Sequence, residues 1–340
     1  MREFCYTIFL WAILAATANA QTKAPTGAAA DKAIKAYSEG KLDDLTAALP
    51  ALEKIHPTHP YTIFFKAYVA DVKDDNVNEA LKGYSEVIKS APDVMEAYMY
   101  RSRIFDQKGM YQKAIEDMTN AIKYDTDKRW DLFMMRGEYY ASANMNNEAF
   151  ADFKQAISIA PSFAKNYRGL MNTGLPIGKK DETISILKKA IEGSESANAE
   201  VWEVWGDVNL RTKQFSIADK AYDKSQLLST AHFTADSYNN ASIAALNVTN
   251  FSKAKQLAEK AVALSPKNGH YYCTRSEISI SDKTWEEVYT WAQKALQVNE
   301  RSVRANKLMA IGVKFTNRGQ ALSDQYNKRS EQLQAEGVEE

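Results

Sequence analysis

The sequence predicts an all-α protein assembled from helix-turn-helix repeats, and three observations lead there. Turn formers are scarce, with 14 glycines and 8 prolines in 340 residues, roughly half the usual share. Residue triplets spaced four and then three apart, each opening on a small or apolar residue in all but one copy, start at Ala80, Ala114, Ala149, Thr183, Ala218, Ala254, Val288 and Leu322. Successive starts lie 34 to 36 residues apart, a period that marks stacked repeats. Each triplet follows a second pattern at offsets 0, 3, 4 and 7, clearest in Trp202, Trp205, Gly206 and Asn209, which places those residues on one face of another helix.

The elements follow in chain order. Residues 1–20 carry the marks of a secretory signal peptide: Arg2, an apolar run from Phe4 to Ala18 broken by Thr7 and Thr17, and Ala18-Asn19-Ala20 before Gln21. The run is too short to cross a bilayer, so no membrane insertion of the mature chain is expected. Cys5 lies in that leader and Cys273 is the sole other cysteine, so the mature chain is expected to hold no internal disulfide. Export to a periplasm or cell envelope, or secretion, is the expected location.

Residues 21–60 read as a divergent repeat that caps the array. Helices are expected over Asp31–Tyr37 and Lys41–Lys54, the second interrupted by Pro50, before a stiff His56-Pro57-Thr58-His59-Pro60 connector. Residues 61–336 hold about eight repeats. Pro92, Pro161 and Pro266 close three of them, since proline ends the helical ladder and restrains the residue before it. Polar turns such as Asp74-Asp75-Asn76 and Gln107-Lys108-Gly109 join the two helices of a repeat. Residues 337–340 form an acidic tail, and the chain from Glu331 onward is expected to fray.

Lys plus Arg and Asp plus Glu number 43 each, and removal of the leader takes Arg2 and Glu3 together, so the balance stays neutral. The basic field that drives nucleic-acid binding is missing, and no nucleic-acid partner is expected. The four histidines form no H-E-x-x-H, Cys273 has no C-x-x-C partner, and no phosphate loop occurs. No catalytic residues, metal or cofactor are expected. His56 and His59 read as exposed linker residues, and Cys273 as a small, partly buried hydrophobe. Arg101, Arg136 and Arg275 share one register position that faces between helices, where the long stem covers apolar surface and the head reaches a carboxylate or solvent.

With Trp202, Gly206, Ala218 and Tyr222 in place, the unit from Glu200 to Thr230 resembles the tetratricopeptide repeat family, as do Phe133 to Pro161 and Phe64 to Pro92. The chain departs from the family pattern where Thr183, Val288 and Leu322 replace the small residue and where Thr126, Glu195, Thr230 and Glu300 replace proline. The resemblance implies a right-handed solenoid whose first helices line a concave groove that binds a partner protein or peptide. Residues one past each anchor, and those one turn further, are the expected lining: Phe65, Met99, Arg103, Met134, Glu138, Arg168, Asn172, Glu203, Asp207 and Asn239. The first part of that row is apolar and the second polar. The function this implies is a non-catalytic protein-interaction scaffold. The alternative is a glycan or small-ligand binder using Tyr98, Trp130, Tyr139, Tyr140, Trp202 and Trp205 as stacking surfaces.

Overall fold

The computed structural model describes residues 22–193 and 197–338. The expected signal peptide, residues 1–20, lies outside them, as do the last two residues of the acidic tail. Among the described residues there are eighteen α-helices and no strand. The chain is all-α, a succession of helix hairpins, and its contacts divide it into two compact units, residues 1–183 and 184–340.

The first unit holds α1 (Ala28–Ser38), α2 (Leu42–Ile55), α3 (Pro60–Val72), α4 (Val77–Ser90), α5 (Met95–Gln107), α6 (Tyr111–Tyr124), α7 (Trp130–Ser142), α8 (Asn146–Ile159) and α9 (Ala164–Gly174). The start of α10 (Lys180–Glu192) also belongs to it. Odd-numbered helices are the first of each hairpin and even-numbered helices the second. In this unit the triplets predicted from the sequence are buried on the second helices: Ala80, Tyr84 and Val87 of α4, and Ala114, Met118 and Ala121 of α6, show no solvent exposure; the last triplet of the chain departs, since Leu322 is exposed. The small residue of the first helix marks the contact, as expected: a Cβ added at Gly137 of α7 would stand 3.2 Å from the Phe153 ring of α8. Such close approach places backbone against side chain and fills the interior.

Two expectations for this unit need correction. Helix α2 runs through Pro50; proline removes one rung, the bond to the carbonyl four residues earlier, and the buried Leu45, Leu49 and Leu52 hold the remaining turns together. His56 and His59 are not exposed linkers but half-buried and hydrogen-bonded.

The second unit holds the rest of α10, then α11 (Ala199–Arg211), α12 (Phe215–Leu228), α13 (Ala235–Asn247), α14 (Phe251–Leu264), α15 (Gly269–Ser281), α16 (Trp285–Val298), α17 (Val303–Phe315) and α18 (Gln320–Ala335). Gly206 of α11 is the counterpart of Gly137: a Cβ there would lie 2.7 Å from the Tyr222 ring. The chain past Glu331 does not fray at that point. Helix α18 continues to Ala335, buries Ser330 and Leu333, and is tied down by Arg301 to Glu336 at 2.9 Å.

Every hairpin turn in both units contains at least one residue with positive φ, from Gly40 and Asp75 through Gly109, Asn144 and Gly178 to Lys213, Thr249, Lys283 and Asn317. Glycine accepts that conformation at no steric cost, and a branched residue such as Thr249 adopts it only when packing on both sides dictates the turn.

Candidate functional site

In the first unit, the expected groove residues are presented by α3, α5, α7 and α9, and the structure sorts them into two groups. Phe65, Met99 and Met134 are interior. Phe65 sits among Tyr37, Tyr61 and Phe64, with ring centroids 5.4 to 6.2 Å apart, and the Met99 sulfur accepts a long contact from Arg129 at 3.9 Å. They pack between neighbouring first helices, so they do not line an open surface. Arg103 is also committed inward: its guanidinium pairs with Asp71, which also accepts from the Tyr84 hydroxyl at 3.2 Å. Burial raises the Asp71 carboxyl above its ordinary range even though Arg103 and Tyr84 pull the other way.

Glu138, Arg168 and Asn172 remain accessible, the first two half-buried and the third exposed. Glu138 of α7 pairs with Lys165 of α9 at 2.8 Å. Lys165, Arg168 and Asn172 stand at spacings of three and four, hence on one face of α9. Phe163, at the head of that helix and 42 % exposed, stacks on Trp130 with centroids 4.1 Å apart. The sequence reasoning missed Lys165. Its signal was available, since it lies three residues before Arg168 in the same register.

In the second unit, all three expected residues are interior. Glu203 accepts the Ser237 hydroxyl at 2.8 Å and lies 3.1 Å from His232 Nε2. Asp207 accepts the Tyr222 hydroxyl at 2.7 Å and the Asn240 amide at 3.2 Å. Asn239 is buried, with no hydrogen-bond partner on its Oδ1. The polar character of this part of the row therefore joins successive first helices, an outcome invisible until the angle between repeats is known. Cys273 is buried in a core cluster with Leu308 and Met309.

His232, Ser225 and Glu203 bring together the residue types of a nucleophilic triad. The geometry does not make one, because the Ser225 hydroxyl and the Glu203 carboxylate both approach Nε2, each at 3.1 Å. A triad needs the acid on the opposite ring nitrogen from the nucleophile. No group of three or more potential metal ligands occurs among the described residues.

The repeated arginines behave as the register predicts. Arg101 donates to both Asp117 oxygens at 2.8 Å and to Ser85 of the preceding hairpin at 2.9 Å. Arg136 repeats the arrangement with Asp152, at 2.7 and 2.8 Å, and Thr119. Arg275 bonds Glu259, Glu287 and Ser279. Each clamps three helices by planar, charge-assisted bonds. Of the aromatic residues considered as stacking surfaces, Tyr98, Tyr139 and Trp205 are buried, and Trp130 is covered by Phe163.

Hairpins repeated in register, clamped by interhelical arginines, define a helical-repeat protein. The tetratricopeptide repeat family profile matches residues 96–128 and 131–163, so those two hairpins are tetratricopeptide repeats. Heat shock protein STI1 of Saccharomyces cerevisiae is 35 % identical over 89 residues, 26 % of this chain and 15 % of that one. TPR repeat-containing protein YpiA of Bacillus subtilis is 24 % identical over 147 residues, 43 % of this chain and 33 % of that one. The chain thus spans a third or less of the curated relatives it matches. A tetratricopeptide repeat protein from Parabacteroides merdae superimposes with a TM-score of 0.52 at 13 % identity, over 75 % of this chain and 98 % of that one. The hetero-tetramer Cut9–Hcn1 of APC/C gives 0.50 at 15 % identity, over 86 % and 56 %. Proteins of this family are in general non-catalytic scaffolds for protein interaction.

Proposed function

We propose that this chain is an exported scaffold of the cell envelope that binds a protein or peptide partner on the accessible face of α9. The observation that carries the reading is the row Lys165, Arg168 and Asn172 beside the exposed Phe163; Arg168 and Asn172, with Glu138, are the part of the expected lining that stays open to solvent. It offers two cations, an amide and an aromatic ring, which suits an extended segment bearing carboxylates and one apolar side chain. Export is supported by the pattern of residues 1–20 and by a single thiol in the remaining chain, buried at Cys273. No described helix is long and apolar enough to cross a membrane.

Cross-linking of the tagged protein in its native envelope, followed by mass spectrometry, tests the reading, with Arg168→Glu plus Asn172→Asp as the comparison. A partner whose cross-links map to Lys165 and vanish in the variant supports it. Equal capture by both forms defeats the α9 assignment. Export is tested separately by fractionation and N-terminal sequencing, with Gln21 expected as the first residue and an intact Met1 overturning it.

A further inference from the structure

Residues 22–27, ahead of α1, run outside any helix as a strap that crosses the turns joining the first three hairpins. At one end Thr22 donates its backbone N–H and its hydroxyl to the two oxygens of Asp93, each at 2.6 Å, and Asp93 stands in the turn between α4 and α5. At the other end His56, the residue that closes α2, donates from Nε2 to the Thr26 carbonyl at 3.1 Å. Pro25 between them is buried, while Lys23, Thr26 and Gly27 are exposed. Proline fixes its own φ and holds the preceding Ala24 in the extended region, so this segment needs little ordering to lie as it does. Each contact selects a chemistry. Serine and threonine are the residues that offer a carboxylate both a backbone N–H and a hydroxyl. The buried position three residues on suits proline, which brings no N–H to be left without an acceptor there. The histidine reads a main-chain carbonyl, which any residue supplies.

We propose that Asp93, His56 and the place of the Pro25 ring form a peptide seat that the chain fills with its own strap, and that a partner protein enters it with an extended segment carrying serine or threonine three residues before proline. The seat lies at the turns between hairpins and uses no residue of the α9 face. Gly27, which joins the strap to α1, is exposed at φ 103° with nothing within 4 Å of where a Cβ would stand, so the joint has room to turn. A tethered segment competes at an effective concentration in the millimolar range. The seat therefore opens to a segment that binds it better than the strap does or adds contacts beyond it. A second copy of the chain would bring the identical segment and gain nothing over the tethered one. A phosphorylated hydroxyl would set its charge against Asp93 and be refused.

The test is titration of a fluorescently labelled Thr-Lys-Ala-Pro-Thr-Gly peptide, capped at both ends, into the purified full-length chain, read by anisotropy. Thr22→Val with Pro25→Gly weakens the chain's own strap and leaves Asp93 and His56 in place; this form should bind the peptide one to one, about tenfold or more tightly than the parent. Adding Asp93→Asn turns one acceptor into a donor and should weaken binding about tenfold or more, the share of hydrogen bonds to a charged acceptor. A peptide with valine in place of its first threonine should lose as much. Arg168→Glu plus Asn172→Asp should leave peptide binding unchanged, so the α9 reading and this one fail separately. Circular dichroism checks that each variant keeps the parent's helix content, and in the parent itself unlabelled peptide at millimolar concentration should shift the Thr22 amide resonance. No gain on weakening the strap, equal binding after Asp93→Asn, peptide lost in the α9 variant, or an unmoved Thr22 resonance overturns the proposal. A parent chain that is dimeric and becomes monomeric on Asp93→Asn would assign the seat to a second copy, and it too overturns the partner segment.

Discussion

Replacing Met134 by Glu separates an interior face from a binding groove. Met134 is 5 % exposed. Removing the thioether from that environment forfeits roughly 1.5–3 kcal/mol of burial. A carboxyl placed there must be protonated to stay buried, which from an ordinary value near 4.3 costs about 4 kcal/mol at pH 7. The sum, on the order of 5–7 kcal/mol, is comparable with the whole stability of a domain. With a urea slope of about 2–3 kcal/mol per molar, the midpoint of the first unit falls by about 2 M, and part of the helical signal is lost before denaturant is added. Asn172→Glu, on the exposed face of α9, should stay within about 0.5 kcal/mol of the parent. Circular dichroism during urea titration reads both. A Met134→Glu midpoint within roughly 0.3 M of the parent, about the scatter of such extrapolations, would show that the side chain faces solvent and would restore the groove assignment.

Thr249→Gly should stabilise the second unit by about 0.5–1 kcal/mol, because relief of left-handed strain at a branched residue exceeds the extra freedom of glycine in the unfolded chain. A melting temperature raised by about 2 °C is the expected reading, and a lowered one refutes the strain argument. Burial pushes the Glu287 carboxyl up, but bonds from Lys255, Ser279 and Thr284 and the Arg275 charge outweigh it and leave it at about 2. A depressed carboxylate stabilises the fold above its unfolded value and loses that contribution as pH falls from about 4.5 toward 2. Glu287→Gln should therefore flatten the acid limb of the stability profile, and an unchanged slope in that window counts against the assignment.

The hairpins were legible in the sequence because a close contact recurs: Ala80, Ala114 and Ala218 are buried in one register, and Gly137 and Gly206 lie against the Phe153 and Tyr222 rings of the partner helix. The roles of Arg101, Arg136 and Arg275 were legible for the same reason, since position in the hairpin fixes what a long side chain reaches. The accessible face was not legible. Whether Met99 or Arg168 sees solvent depends on how far the next first helix leans across it, a property of contacts between repeats and not of the pattern within one.

The change from apolar to polar along the expected lining has a structural meaning. In the first unit, neighbouring first helices meet through rings and thioethers as well as through the Arg103–Asp71 and Lys165–Glu138 pairs: Tyr37, Phe64, Phe65, Tyr68 and Tyr100 form one aromatic cluster, with a hydroxyl-to-hydroxyl bond from Tyr37 to Tyr100 at 3.1 Å. In the second unit they meet through directed bonds, Ser237 to Glu203, Asn240 to Asp207, Tyr271 to Asp236 and Arg304 to Glu277. Ring packing is tolerant of small shifts, whereas a buried carboxylate left without its donor carries the full cost of its desolvation. The second unit should therefore hold its first helices in one fixed geometry or lose several contacts together. In the first unit that penalty attaches to the Asp71–Arg103 pair, beside a ring cluster that tolerates small shifts, and it is there that the accessible row on α9 is found.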